Sequence, residues 1–203
     1  MNLKSMSVTV AVAACLGGCA SMTPTHEIVQ GYAVFDIAAA QGVSASRLSD
    51  AVKSALQLSM SKVQVVNGIP PSPLPEKAPR FQLVSPFKGS GLGALAAASG
   101  QSVQVPSCEG AVLTANGVDS SMGGHGERTT FFVCLMPYQG GYALNVYTTF
   151  SKVSGGFSAA ALGTAMARSV VGDSSQFIPR TVGQIVDAVR ATGSSVSLKE
   201  AYP

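Results

Sequence analysis

The sequence predicts an α+β fold: a mainly antiparallel sheet of four to six strands with about three helices packed on it. Three observations lead there. Short runs rich in β-branched and aromatic residues recur between Gly, Pro and Asn punctuation. Two other segments set their apolar residues at helical spacing. One pair of runs, Thr129–Pro137 and Tyr142–Lys152, is joined by Tyr138-Gln-Gly-Gly141, which reads as a hairpin. Of the 203 residues, 46% are apolar, enough to bury a core, and 31–203 read as one domain. Only 11% are charged, which excludes an acidic or basic disordered tail and a long solvated coiled coil. The net charge of +3 comes with no Lys/Arg cluster, so no nucleic-acid footprint is expected.

The chain opens with Lys4 and an apolar run from Met6 to Leu16. That run is too short to span a bilayer, which takes ~20 residues. It fits the core of a signal peptide. Leu16-Gly17-Gly18-Cys19 follows, and this tetrad resembles the lipobox of bacterial lipoproteins. The resemblance covers the first 19 residues and the tether after them. It implies that 1–18 are a signal peptide and that Cys19, lipidated, begins the mature chain. Two or three acyl chains anchor stably where one is marginal. Residues 19–30 are polar and become a flexible tether. Ala20 stands where an Asp would retain a Gram-negative lipoprotein at the inner membrane. The resemblance therefore implies the outer membrane, with the domain on its periplasmic face.

The mature elements follow in order. Gly31–Ile37 is a strand, bounded by Gly31 and the Ala38–Gly42 run. Ser44 is an N-cap, and Leu48, Val52, Ala55, Leu56 and Ser59 give Ala45–Met60 one apolar side. Lys62–Val66 is a second strand, ended by Asn67-Gly68. Pro70, Pro71, Pro73, Pro75 and Pro79 make the next stretch an extended, polyproline-like loop. It is a rigid surface connection or a docking strip for a partner. Arg80–Ser85 is a third strand.

Gly89-Ser-Gly91-Leu-Gly-Ala94 fits a dinucleotide-binding pattern, but Pro86 interrupts the strand that should lead into it, so no nucleotide is expected. A flexible glycine loop and a short Ala-rich helix, Leu92–Ser99, are the plainer reading. Ser102–Val105 and Ala111–Thr114 are short strands, and Asn116–Gly126 is a loop. Thr129–Pro137 is apolar on both faces, which suggests a central strand covered on both sides, or a sheet with one helical face and one contact face. In Tyr142–Lys152 one face carries Tyr142, Leu144, Val146, Thr148 and Phe150; the other carries Ala143, Asn145, Tyr147 and Thr149. Phe157–Val171 is Ala-rich and nearly uncharged. It reads as a buried helix, or as a contact face for another protein or a bilayer surface. Arg180–Thr192 is the last helix, with Val182, Ile185, Val186 and Val189 on one side and Gly193 as its stop.

With Cys15 lost in the signal and Cys19 lipidated, the lipoprotein resemblance leaves Cys108 and Cys134 in an oxidising compartment, where a disulfide is expected. Cys108, Glu109, His125, Glu127 and Cys134 offer metal-ligand types, but without CxxC or HxxxH spacing, so no metal or cofactor is expected. A Ser-His-Asp arrangement would need His125 with Ser120, Ser121 or Asp119. There is no Gly-x-Ser-x-Gly elbow, and the glycines around His125 give poor support for a catalytic base. No catalytic residue is assigned, and the chain is not expected to be an enzyme. The expected function is a membrane-anchored, non-catalytic binding or assembly accessory of an envelope protein complex. A periplasmic carrier of a lipid or small apolar ligand is the alternative, and would need a cavity between the sheet and the Ala-rich helix, lined by small side chains. A cell-wall-modifying enzyme is the third reading, and would need a buried carboxylate or a held His125.

Overall fold

The computed structural model describes residues 25–98, 104–121, 127–154 and 176–202. It is an α+β fold built on a six-stranded sheet, with three helices among the described residues. In chain order these are β1 (Thr25–Ala38), α1 (Ala45–Ser59), β2 (Lys62–Asn67), β3 (Gln82–Val84), α2 (Gly91–Ala98), β4 (Val105–Ser107), β5 (Leu113–Asp119), β6 (Arg128–Tyr138), β7 (Gly141–Ser154), α3 (Phe177–Arg190) and β8 (Ser195–Tyr202). The main sheet runs β2-β5-β6-β7-β1-β8, and β3 and β4 form a separate pair. Every pairing is antiparallel.

β6 and β7 hold the centre because they are apolar on both faces. Phe131, Val133 and Leu135 of β6 point to one side and meet Leu144 and Val146 of β7 there. α1 covers that side with Leu48, Val52, Ala55 and Leu56, and α3 with Ile185, Val186 and Val189. Full burial of each of these Leu, Ile, Val and Phe side chains contributes about 1.5–3 kcal/mol. The two helices touch, and Ser59 donates to Gln184 Oε1 at 2.6 Å. Ser44 caps α1 as expected, accepting from Arg47 N at 3.2 Å.

The opposite face of the sheet is covered by coil. Residues 68–81 run across it from β2 towards the β1 end. Gly68 N donates to Val112 O at 3.2 Å, and Gln139 N to Pro75 O at 3.0 Å. Asn145, buried in β7, accepts from Phe81 N and donates to Pro79 O, both at 3.4 Å. The proline-rich stretch is therefore a laid-down connection. The Cys108–Cys134 disulfide joins this outer layer to the middle of β6, with Cα atoms 6.3 Å apart. Ala111, Met136 and Phe132 pack around it.

Three expectations are corrected. β1 begins at Thr25, so 25–30, expected in the tether, belong to the sheet and pair with β7. Asn116-Gly117, expected in a loop, lies inside β5 opposite β6. A Cβ on Gly117 would come within 3.0 Å of Met60 Cγ, so glycine is there for helix packing and not for a turn. β8 was not foreseen: it is an edge strand paired to β1. α2, short and Ala-rich as expected, exposes Leu92 and Leu95 at 65% and 71%. The helix expected over Phe157–Val171 lies outside the described residues.

Candidate functional site

The apolar arc of α3 is wider than the part that packs against α1 and the sheet. Ile185 and Val189 are fully buried, while Ile178 and Val182, on the neighbouring stripe, are half-buried. That stripe looks towards β1 and β8. Opposite it, β1 alternates so that Val29, Gly31, Ala33 and Phe35 share the helix face. Two of these are small, and Gly183 on α3 is small as well. A Cβ built on Gly183 meets nothing within 4 Å. Space is left where helix and sheet would otherwise close.

The result is a half-open groove of about 1150 Å³ between α3 and the β7-β1-β8 part of the sheet. Val146, Thr148 and Phe150 of β7 form one wall, and Leu198 and Ala201 of β8 lie on the other side. The Thr148 hydroxyl donates to Gly31 O at 3.3 Å and is thereby occupied. Charge is marginal: Asp187 and Arg190, both exposed, pair at 3.5 Å. Glu127 also lines the groove. It is 2% exposed and has an interaction of its own within the protein.

An aromatic cluster lies on the other face of β1. Tyr32 and Phe81 meet edge to face at 5.6 Å, Phe81 and Tyr147 at 5.5 Å, and Tyr32 stacks on Tyr202 at 5.9 Å. The Arg80 guanidinium lies 4.8 Å from the Tyr32 ring centre, and Arg80 Nη1 is 2.6 Å from Glu200 Oε2. Tyr32 donates its hydroxyl to Glu200 Oε1 at 2.6 Å. That hydrogen bond, with Arg80 beside it, holds the Glu200 carboxyl below the ordinary carboxylate range. Tyr32, together with Glu200, raises the Arg80 guanidinium. A smaller pocket of about 420 Å³ sits over this cluster. Both pockets share Gln30, Gly31, Tyr32 and Tyr202, so they meet where β8 ends against β1.

Of the residues singled out in the sequence, Cys108 and Cys134 are bonded to each other, as expected. Cys19 and His125 lie outside the described residues. Asp119 accepts from the hydroxyls of Ser61 and Ser121, each at 2.9 Å. These exposed groups close the end of β5 and form a local turn. Among the described residues, no three His, Cys, Asp or Glu side chains are grouped as for a metal ion. No described helix is long and apolar enough to cross a membrane.

Sequence reasoning missed the groove because it missed β8. A signal existed: Ser195-Val-Ser-Leu-Lys199 alternates apolar and polar, the pattern of a half-covered strand. Glu127 was one of several scattered carboxylates, and its burial follows from a fold that no local pattern displays. No family model matches the sequence, and comparison with curated proteins and with solved structures returns no match.

Proposed function

We propose that the chain is a lipid-anchored envelope lipoprotein, held at the periplasmic face of the outer membrane through Cys19. In this reading its domain is a non-catalytic binding or assembly accessory of an envelope protein complex. The lipobox-like Leu16-Gly17-Gly18-Cys19 and the Cys108–Cys134 disulfide, which suits an oxidising compartment, support the location. The observation that carries the binding role is the groove beside β1. Its lining is mainly apolar, with the Asp187–Arg190 pair exposed and Glu127 buried, and it lies on the first described strand.

The test is in-cell crosslinking of the lipoprotein followed by mass spectrometry. One dominant envelope complex, with crosslinks on groove or aromatic-cluster peptides, is the expected result. Capture of abundant bystanders alone would overturn the accessory role. The same groove favours a second reading, a carrier of a lipid or small apolar ligand, although it lies against α3 and the expected cavity beside the Ala-rich segment falls outside the described residues.

A further inference from the structure

We infer that the groove between α3 and the β7-β1-β8 face holds an acyl chain of a phospholipid from the membrane beside it, an inference that rests on the lipid-anchored reading. Three properties of the molecule point to this occupant: the chemistry of the lining, its length, and its distance from the anchor.

The lining is mainly carbon, and its charged groups are engaged: Asp187 with Arg190, and Glu127 in an interaction of its own. From Tyr32 on, the β1 backbone is paired on both sides, to β7 and to β8, and that of α3 is paired within the helix; before Tyr32, β1 is paired to β7 alone among the described strands. The Thr148 hydroxyl is spent on Gly31 O. An extended peptide laid between α3 and the doubly paired part of β1 would bury its own amides without partners, a situation proteins avoid. A hydrocarbon chain needs no partner.

The length fits as well. Ile178 and Arg190 both line the groove, twelve residues apart on one helix, which is ~18 Å at 1.5 Å per residue. One leaflet contributes about 15 Å to the ~30 Å hydrocarbon core of a bilayer, and a single acyl chain fills that depth.

Position supplies the third argument. Six residue steps separate Cys19 from Thr25, where β1 begins, so the anchor is within ~20 Å of the strand even when that stretch is fully extended. Val29, the first β1 residue in the groove, is four steps further, about 13 Å along the strand. At the groove entrance Val29 is 42% exposed, with the exposed Glu27 before it on the same face of β1. β8 stops at Tyr202 opposite Tyr32, so the earlier part of β1 is not flanked by it. A lipid leaving the bilayer near the anchor reaches the groove at Val29, where its apolar lining begins.

The experiment uses the full lipidated protein, reconstituted in phosphatidylethanolamine/phosphatidylglycerol vesicles. The vesicles contain a trace of phosphatidylcholine with a diazirine near the end of one acyl chain. After irradiation, flotation shows anchoring, and peptide mapping locates the label. The protein's own acyl chains are not photoactive, so label reports vesicle lipid alone. Label on peptides containing Val29–Phe35 and Ile178–Val186 is expected. Gly183→Phe places a ring where a Cβ meets nothing within 4 Å, and should cut groove label at least tenfold without changing flotation. Leu198→Trp, from the facing wall, should do the same and serves if the first variant does not fold. Floating protein with label confined to residues 19–24 overturns the inference alone, whether a partner's helix or the protein's own acyl chain sits in the groove. Groove label that neither variant reduces overturns it too. Wild-type protein that does not float overturns the anchored reading and this inference with it.

Discussion

Asn145 sits near the middle of β7, yet its side chain serves a segment more than sixty residues earlier in the chain, through Phe81 N and Pro79 O. The carboxamide has both an acceptor and a donor, so it can hold a proline-rich stretch that supplies few amides of its own. Asn145→Ala would leave the Phe81 amide without this partner in a dry site. The expected loss is about 1–3 kcal/mol, read as a lower urea midpoint at unchanged slope; an unchanged midpoint would show that the clamp is idle. The tyrosines set a pH limit. Burial raises the Tyr147 phenol above its ordinary value. The hydrogen bond Tyr138 donates to Asp36 Oδ1, at 2.6 Å, raises that phenol as well, with burial adding to it. A raised phenol binds its proton more tightly when folded. Its stabilisation is complete below the ordinary phenol value of about 10 and is lost as pH climbs through the raised one. Urea midpoints should hold level to about pH 9 and then fall. Tyr138→Phe/Tyr147→Phe should fall less steeply, and equal slopes in variant and wild type would refute the assignment. Glu200 acts in the other direction, favouring the folded state above the ordinary carboxylate range, and its exposure keeps the effect small.

Among the elements, α1, the β6–β7 hairpin and most of α3 were legible in the sequence because their signals are local. Ser44 caps, Leu48 to Leu56 repeat at helical spacing, and Gly193, at φ +92°, stops the last helix where a side chain would be strained. β5 and the start of β1 were not legible. Asn116-Gly117 has the chemistry of a turn, and packing against Met60 overrides it. Residues 25–30 are polar enough to resemble a tether, and pairing with β7 keeps them extended. The outer layer was half legible: the prolines announced an extended run, but nothing local showed which face it would cover. The disulfide is the covalent tie of that layer to β6, across a sequence separation of 26. Closing a loop of that length restricts the unfolded chain, a contribution of about 3 kcal/mol on the chain-entropy account. Cys108→Ala/Cys134→Ala should lose about that much stability. Hydrogen exchange should quicken first at Phe81 and Gln139, whose amides bind across the layer. Unchanged protection there would mean that hydrogen bonds alone hold the layer.

At the scale of the whole molecule, the candidate site is made by topology. β1, β7, α3 and β8 are far apart in sequence, and they meet because β8 returns to the free side of β1 after α3 has crossed the sheet. No run of residues announces such a groove, whereas Leu16-Gly17-Gly18-Cys19 is contiguous and could be read directly. The two features are joined by one strand. β1 begins six residues after Cys19, forms the groove floor from Val29 to Phe35, and contributes Tyr32 to the aromatic cluster on the opposite face. Anchoring at Cys19 would therefore restrain the fold close to the membrane, beside its candidate site. Everything proposed for this molecule depends on that attachment, and one substitution tests it. Cys19→Ala removes the thiol that would carry the lipid and leaves the folded part unchanged. The expected outcome is a precursor that is not processed as a lipoprotein, or a chain released from membranes, with the Cys108–Cys134 disulfide still formed in any exported material. Flotation of cell membranes, with non-reducing peptide mapping of both fractions, reads the two results together. A Cys19→Ala chain that floats like wild type would show that something other than Cys19 holds it, and the groove would no longer have a reason to face the bilayer.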